Sequence, residues 1–199
     1  MADRPILFSA TMVQALLAGR KTQTRRVIKQ RGHASLFDGS WTDAYVLDPG
    51  NSSWRSSELR FAIGDRLYVR EHWRTWSTSD HLPPSQLKVG TAVDYIADGG
   101  DVLHGKPRQA MHMPRWASRL TLLVTDVRVE RLQDCSEADA LAEGVERIVF
   151  PERGDWGWPQ RKYRKIWENI NGAGSWEANP WVVAVSFDVL EQNIDEVAG

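Results

Sequence analysis

A single cysteine, Cys135, occurs in 199 residues, so no internal disulfide can brace the fold. Apolar runs approaching the length of a membrane-spanning helix are absent, as is a charged-then-apolar leader. The expectation is a chain that neither spans a membrane nor is secreted, with a cytoplasmic location. Excess charge of either sign is lacking too. Lys+Arg number 25 and Asp+Glu 26, a formal net charge of -1. No general positive field draws the chain to nucleic acid, and any such contact must come from a local basic patch. His33, His72, His81, His104 and His112 are scattered without paired ligand spacing. With one cysteine elsewhere, that argues against a zinc site, and no metal is expected. Gly99-Gly100 and Gly154 fit turns and match no phosphate-cradling loop. Internal repeats and low-complexity tracts are missing as well.

What remains is an ordinary globular balance, 42% hydrophobic and 26% charged, which suits one domain able to bury a core unaided. Met12, Val13, Leu16 and Leu17 recur at helical spacing, with Ser9 placed to cap the start and Gly19 to stop the helix in a left-handed turn. The threonines of Lys21-Thr22-Gln23-Thr24-Arg25-Arg26 favour an extended segment after it. A polar stretch at about 30–62 reads as an insertion, in which 41–47 and 54–61 flank a turn-forming Asp48-Pro49-Gly50 and predict a hairpin. A second insertion, 77–90, carries Pro83-Pro84 and is expected at the surface.

Leu67, Val69, Glu71 and Trp73 alternate along one face of a strand, so a carboxylate shares an apolar surface. Residues 92–97 and 120–132 read as further strands, the second with a change of apolar phase near Thr125 that implies a bulge. Ser136 and Asp139 form a capping pattern for a short helix closed by Gly144, with Glu143 on its last turn. Pro159 opens another helix whose Tyr163, Ile166, Trp167 and Ile170 form an apolar face. Trp181, Val183, Val185, Phe187 and Val189 give the cleanest period of two, the mark of a central strand. Residues 191–199 read as a flexible tail. The class is α+β: a small, mostly antiparallel β-barrel with three short flanking helices.

Four ordered segments carry a family resemblance: Leu17-Ala18-Gly19-Arg20-Lys21-Thr22-Gln23-Thr24-Arg25-Arg26, Gly64-Asp65-Arg66-Leu67-Tyr68-Val69-Arg70-Glu71, Met113-Pro114-Arg115-Trp116-Ala117-Ser118-Arg119 and Ala142-Glu143-Gly144. Together they resemble the ASCH domain, which implies a PUA-like barrel as one domain over 1–190. The longer form, with a segment at 176–181 before the last strand, is similar to members common in phage and prophage genomes. Family members include small bacterial amidohydrolases that cleave N4-acetylcytidine, a ribonuclease, and proteins taken to bind RNA.

Motif by motif, the resemblance to the amidohydrolases implies Lys21, Thr24 and Glu143 as catalytic residues. Elementary electrostatics gives Lys21 and Glu143 a reason to meet. A carboxylate at a helix C-terminus faces the negative end of the dipole, and a cation relieves that cost of about 0.3–1 kcal/mol. Burial and the neighbouring Arg20, Arg25 and Arg26 would lower an ammonium pKa, while Glu143 would oppose them. Two schemes fit: Thr24 as nucleophile activated by Lys21, or Glu143 as base for a water with Lys21 and Thr24 polarising the carbonyl. Neither calls for a metal or a cofactor.

Arg25, Arg26, Glu71, Trp73, Tyr95, Arg115 and Trp116 are the candidate substrate-binding residues. For Glu71, pairing with Arg70, Arg115 or Arg119 competes with substrate contact. For Trp73, Tyr95 and Trp116, core packing competes with stacking on a base. The segment 111–116, with His112, is placed to line a pocket mouth. The expected partner is a modified nucleoside or single-stranded RNA. The reading is an amidohydrolase acting on N4-acylated cytidine or a related nucleoside. Its alternative is a non-catalytic RNA or modified-base binding module, or a ribonuclease using the same basic cleft.

Overall fold

The computed structural model describes residues 2–29, 35–146, 148–149 and 156–197. The start of the first expected insertion, with His33, and Gly154 lie outside them. In chain order the regular elements are β1 (Asp3–Leu7), α1 (Ala10–Leu17), β2 (Gln23–Val27), α2 (Asp43–Leu47), α3 (Ser52–Glu58), β3 (Arg66–Arg70), β4 (Trp73–Arg74), β5 (Asp94–Tyr95), β6 (Thr121–Arg131), α4 (Glu137–Ala142), β7 (Ile148–Val149), β8 (Trp156–Gly157), α5 (Pro159–Asn171) and β9 (Trp181–Leu190). The protein is α+β with a mixed five-stranded sheet in the order β1-β3-β6-β9-β2. No closed barrel is found among the described residues, since β1 and β2 stand at the two ends of that order.

The chain falls into two compact units, each built from separated stretches: 1–19, 64–124 and 187–199 form the first, 20–63 and 125–186 the second. The long strands β6 and β9 each contribute to both. The phase change foreseen near Thr125 coincides with the point where β6 passes from one unit to the other.

In the first unit β1 lies parallel to β3, and β3 runs antiparallel to the start of β6. Leu67, Val69, Glu71 and Trp73 are all buried, but they do not share the one strand expected: β3 ends at Arg70, and Trp73 begins β4 in a separate two-stranded sheet. Helix α1 follows its apolar spacing and stops at Gly19, whose φ of 66° is the left-handed conformation that glycine adopts without steric cost. Ser9 stands at its N-cap but its hydroxyl pairs with Thr11 rather than with the backbone. The strand expected at 92–97 shrinks to β5, because Ile96 to Asp98 turn into a 3-10 helix. A core of Trp73, Leu87, Met113 and Ala117 fills this unit's interior.

Over its described part, 191–197, the segment expected to be a flexible tail is packed instead. Ile194 is buried. Asn193 donates to the carbonyls of Arg115, Trp116 and Ser118, and Asp195 pairs with Arg115 at 2.6 Å. The residues are tied down because a single side-chain amide reaches three backbone carbonyls of the 115–118 turn.

In the second unit β2 lies antiparallel to β9, with Thr24 opposite Val185. Both faces of β9 are buried from Trp181 to Val185, and within the sheet it lies between β6 and β2. The capping box of α4 is complete: Ser136 Oγ accepts from Asp139 N and Asp139 accepts from Ser136 N. Leu132, Cys135, Ala140, Val145, Tyr163, Trp167 and Val182 form the core, against which Ile166 packs. Ile170, at the frayed end of the α5 stripe, stays 56% exposed.

The predicted hairpin within the first insertion is replaced by helices. Thr42 caps α2 through Tyr45 N, Asp48 and Pro49 start a 3-10 turn, and α3 follows directly. Local capping thus overrides a weak strand pattern, and five α-helices stand among the described residues where three were expected. Nor is this segment merely polar cover, since Leu36, Phe37 and Val46 are buried and the Glu58 carboxylate accepts from Ser35 Oγ and Leu36 N.

Candidate active site

The start of β2 and the end of α4 meet. Thr22 N donates to Ala142 O at 2.8 Å, and Lys21 and Glu143 form an antiparallel bridge. β2 is the last strand of its sheet, so its open edge is available for this pairing. The contact brings the Lys21 ammonium, 0% exposed, to 2.8 Å from Glu143 Oε2. Its other protons go to the carbonyls of Gln23 and Glu143, at 2.9 and 3.0 Å. An ammonium has three donors, and here three acceptors receive them.

Arg25 reaches the same carboxylate from β2. Its Nη1 lies 3.3 Å from Glu143 Oε1 and 2.6 Å from Gln23 Oε1, while Nε donates to Glu130 Oε1 at 2.7 Å and Nη2 is 3.2 Å from Asp139 Oδ1. The Tyr163 hydroxyl, brought by α5, donates to Glu143 Oε1 at 3.2 Å. Glu143 therefore holds an ammonium on one oxygen, and a guanidinium and a phenol on the other.

Burial pulls the Lys21 pKa below its ordinary value, Glu143 pulls it back up, and Arg26 and Arg25 push it down again, leaving it lowered. For Arg25 burial opposes the charge, but the anionic surroundings, Glu130 and Glu143 included, win and the pKa rises. Burial and the Glu143 charge raise Tyr163 far above an ordinary phenol, so it remains a donor. Cys135 is pushed up to about 12, chiefly by burial, and is an inert thiol. Arg26 is lowered by burial, with Glu143 and Tyr163 opposing.

Thr24 is buried, and the pleat of β2 places it on the face opposite Gln23 and Arg25. The hydroxyl that touches Glu143 is that of Tyr163. Sequence reading put Tyr163 on an apolar helix face, where a tyrosine in place of a phenylalanine was the available signal of a buried polar contact. Glu130 and Asp139 were missed as partners of Arg25, because they lie on a different strand and helix.

The remaining candidates belong to the first unit. Glu71 is held by both Nε and Nη2 of Arg119, at 2.9 and 3.1 Å, and Arg119 also grips Asp98. Burial raises the Glu71 pKa against the pull of Arg119. The Arg119 guanidinium lies 4.0 Å above the Tyr95 ring, whose hydroxyl donates to Ala117 O. Trp73 is wholly buried, and Trp116 packs against the same core. Arg115 bridges Asp3 and Asp195, both at 2.6 Å. Each of these side chains has a structural partner of its own. Among the described residues no group of His, Cys, Asp and Glu is arranged to hold a metal, and no helix is long and apolar enough to cross a membrane.

No protein-family model matches the chain, and no curated protein resembles it in sequence. Among solved structures it is similar to protein EF3133 from Enterococcus faecalis V583, of the family DUF984, with a TM-score of 0.44 and 11% identity over 100% of this chain and 86% of that one. Similarity that weak carries no inference about the site.

Proposed function

We propose that this chain is an ASCH-type protein of the PUA-like class that hydrolyses the acyl–amine bond of N4-acylated cytidine or a related modified nucleoside. The observation that carries this reading is the buried contact of Lys21 Nζ with Glu143 Oε2 at 2.8 Å, in surroundings that lower the ammonium's pKa. A carboxylate beside an ammonium provides a proton acceptor and a proton donor within one hydrogen bond. In the scheme it supports best, Glu143 takes a proton from the water that attacks the acyl carbon. Lys21 gives one to the departing exocyclic amine, and proton transfer between the pair restores both. Tyr163 and Arg25 hold the carboxylate in place. Thr24 as nucleophile fits less well, because it lies on the opposite face of β2 from Arg25.

A second reading, a modified-base or RNA binding module without chemistry, is favoured by one specific fact. The ammonium has no exposed surface and no spare donor, as a purely structural ion pair would. Hydrolysis thus requires an incoming substrate to displace one of the three acceptors. Steady-state hydrolysis of N4-acetylcytidine by wild type, Lys21→Ala, Thr24→Ala and Glu143→Ala decides. The hydrolase reading expects turnover in wild type, abolished in the Lys21 and Glu143 variants. Folded wild type with no turnover, and RNA binding that falls steeply with salt, gives the binding module.

A further inference from the structure

The insertion at 77–90 and the segment 106–112 border an open cleft of about 520 Å³ in the first unit, within the range of small-molecule sites. Its polar lining is His81, Lys106, Arg108, Gln109 and His112, and its apolar walls are Leu82 with Pro83, Pro84 and Pro107. Among the described residues no carboxylate lines it. The neighbouring acid, Asp80, is already engaged, both its oxygens accepting the backbone N–H of Lys106 at 2.9 and 3.0 Å.

The wall is also oversupplied with donors. Arg108 is fixed by the carbonyls of Leu82 and Ser79, both at 2.9 Å, and its guanidinium lies 5.5 Å over the Trp73 ring. Yet among the described residues its Nε has no acceptor, and neither do the indole Nε1 of Trp73, its bridge partner, or the hydroxyl of Thr75. Buried donors without acceptors are uncommon in native proteins and call for an explanation. Of the three, Arg108 lines the cleft itself, whose charged lining side chains are cationic.

We propose that this cleft binds a phosphate monoester carrying a flat ring, a nucleotide being the common example. The phosphate oxygens answer Lys106, Arg108 and the two imidazoles, and the proline faces cover the ring. The site uses neither Lys21 nor Glu143, so it stands whatever those residues do.

Isothermal titration of the full chain with cytidine 5′-monophosphate, cytidine and inorganic phosphate tests it. The nucleotide is expected to bind saturably and more weakly as salt rises. Phosphate alone binds less tightly and cytidine not measurably. Gln109→Glu, an exposed position, sets a carboxylate among the donors and should weaken nucleotide binding by roughly tenfold or more. Lys106→Ala should weaken it less. Binding of cytidine equal to that of the nucleotide, phosphate alone binding as tightly as the nucleotide, or nucleotide affinity unchanged in both variants would each overturn the proposal. So would no nucleotide binding up to about 1 mM, a contact energy near 4 kcal/mol.

Discussion

Replacing Glu143 by glutamine keeps its size and removes its charge. In wild type the carboxylate answers an ammonium with no exposed surface and a guanidinium that is almost as deeply buried. Removing it leaves Lys21 facing carbonyl oxygens alone, with Arg25 still close by. Breaking a buried pair from one side costs about 3–5 kcal/mol, because the abandoned charge stays out of water. With a urea dependence of about 2 kcal/mol per molar for a chain of this size, the unfolding midpoint should fall by roughly 2 M. Lys21→Met should cost less, since Glu143 keeps Arg25 and Tyr163. The double variant should then be more stable than the sum of the single losses predicts, by at least about 1 kcal/mol. Equilibrium unfolding in urea followed by tryptophan fluorescence measures all four proteins. A Glu143→Gln midpoint within experimental error of wild type, or additive losses in the double variant, would refute the claim that this pair is electrostatically coupled in the interior.

Other expectations are open to direct measurement. The Asp139 carboxyl is exposed to opposing effects, burial raising its pKa, but its bonds to Ser136 with Arg25 and Arg128 nearby leave it well below the usual carboxylate range. A depressed folded pKa means its contribution is present above the unfolded value, near 4, and is lost as pH falls. Asp139→Asn should therefore cost about 1.5–3 kcal/mol near neutral pH, with the gap to wild type closing under acid; a gap that widened would reverse the assignment. Cys135, buried and raised to about 12, should resist a thiol reagent at pH 8 in the folded protein and react on unfolding, as read by labelling kinetics. At Gly105 an added Cβ would stand 2.0 Å from the backbone oxygen of Thr75. Gly105→Ala should cost about 1–3 kcal/mol, with amide hydrogen exchange speeding up at Ser77, which bonds to Leu103.

Local chemistry was legible in the sequence wherever one motif decided the outcome. The Ser136–Asp139 box, the Gly19 stop, Pro159 at the head of α5 and the buried Leu67 and Val69 of β3 all depend on neighbours within a few residues, so spacing alone reveals them. The meeting of Lys21 with Glu143, 122 residues apart, was expected from the family resemblance, with the added reason that a carboxylate at a helix end wants a cation. The partners of Arg25 had no such signal. Glu130 lies 105 residues away on an amphipathic strand, and its choice of partner is settled by tertiary packing. α2 and α3 escaped because five and seven residues are too few to show a helical period, and their caps looked like turn residues. Barrel closure was inferred from strand number, whereas strand order decides it.

Because β9 supplies one end of itself to each unit, neither half of the molecule is written as a continuous message. Gln23 finds Ser186 across 163 residues, and Thr121 finds Gln192 across 71. During synthesis both halves must wait, incomplete, until 181–190 has left the ribosome, with the edge of β2 open in the meantime. Distant closures of this kind slow folding, so a chain cut just before Trp181 should lose two assemblies at once rather than one.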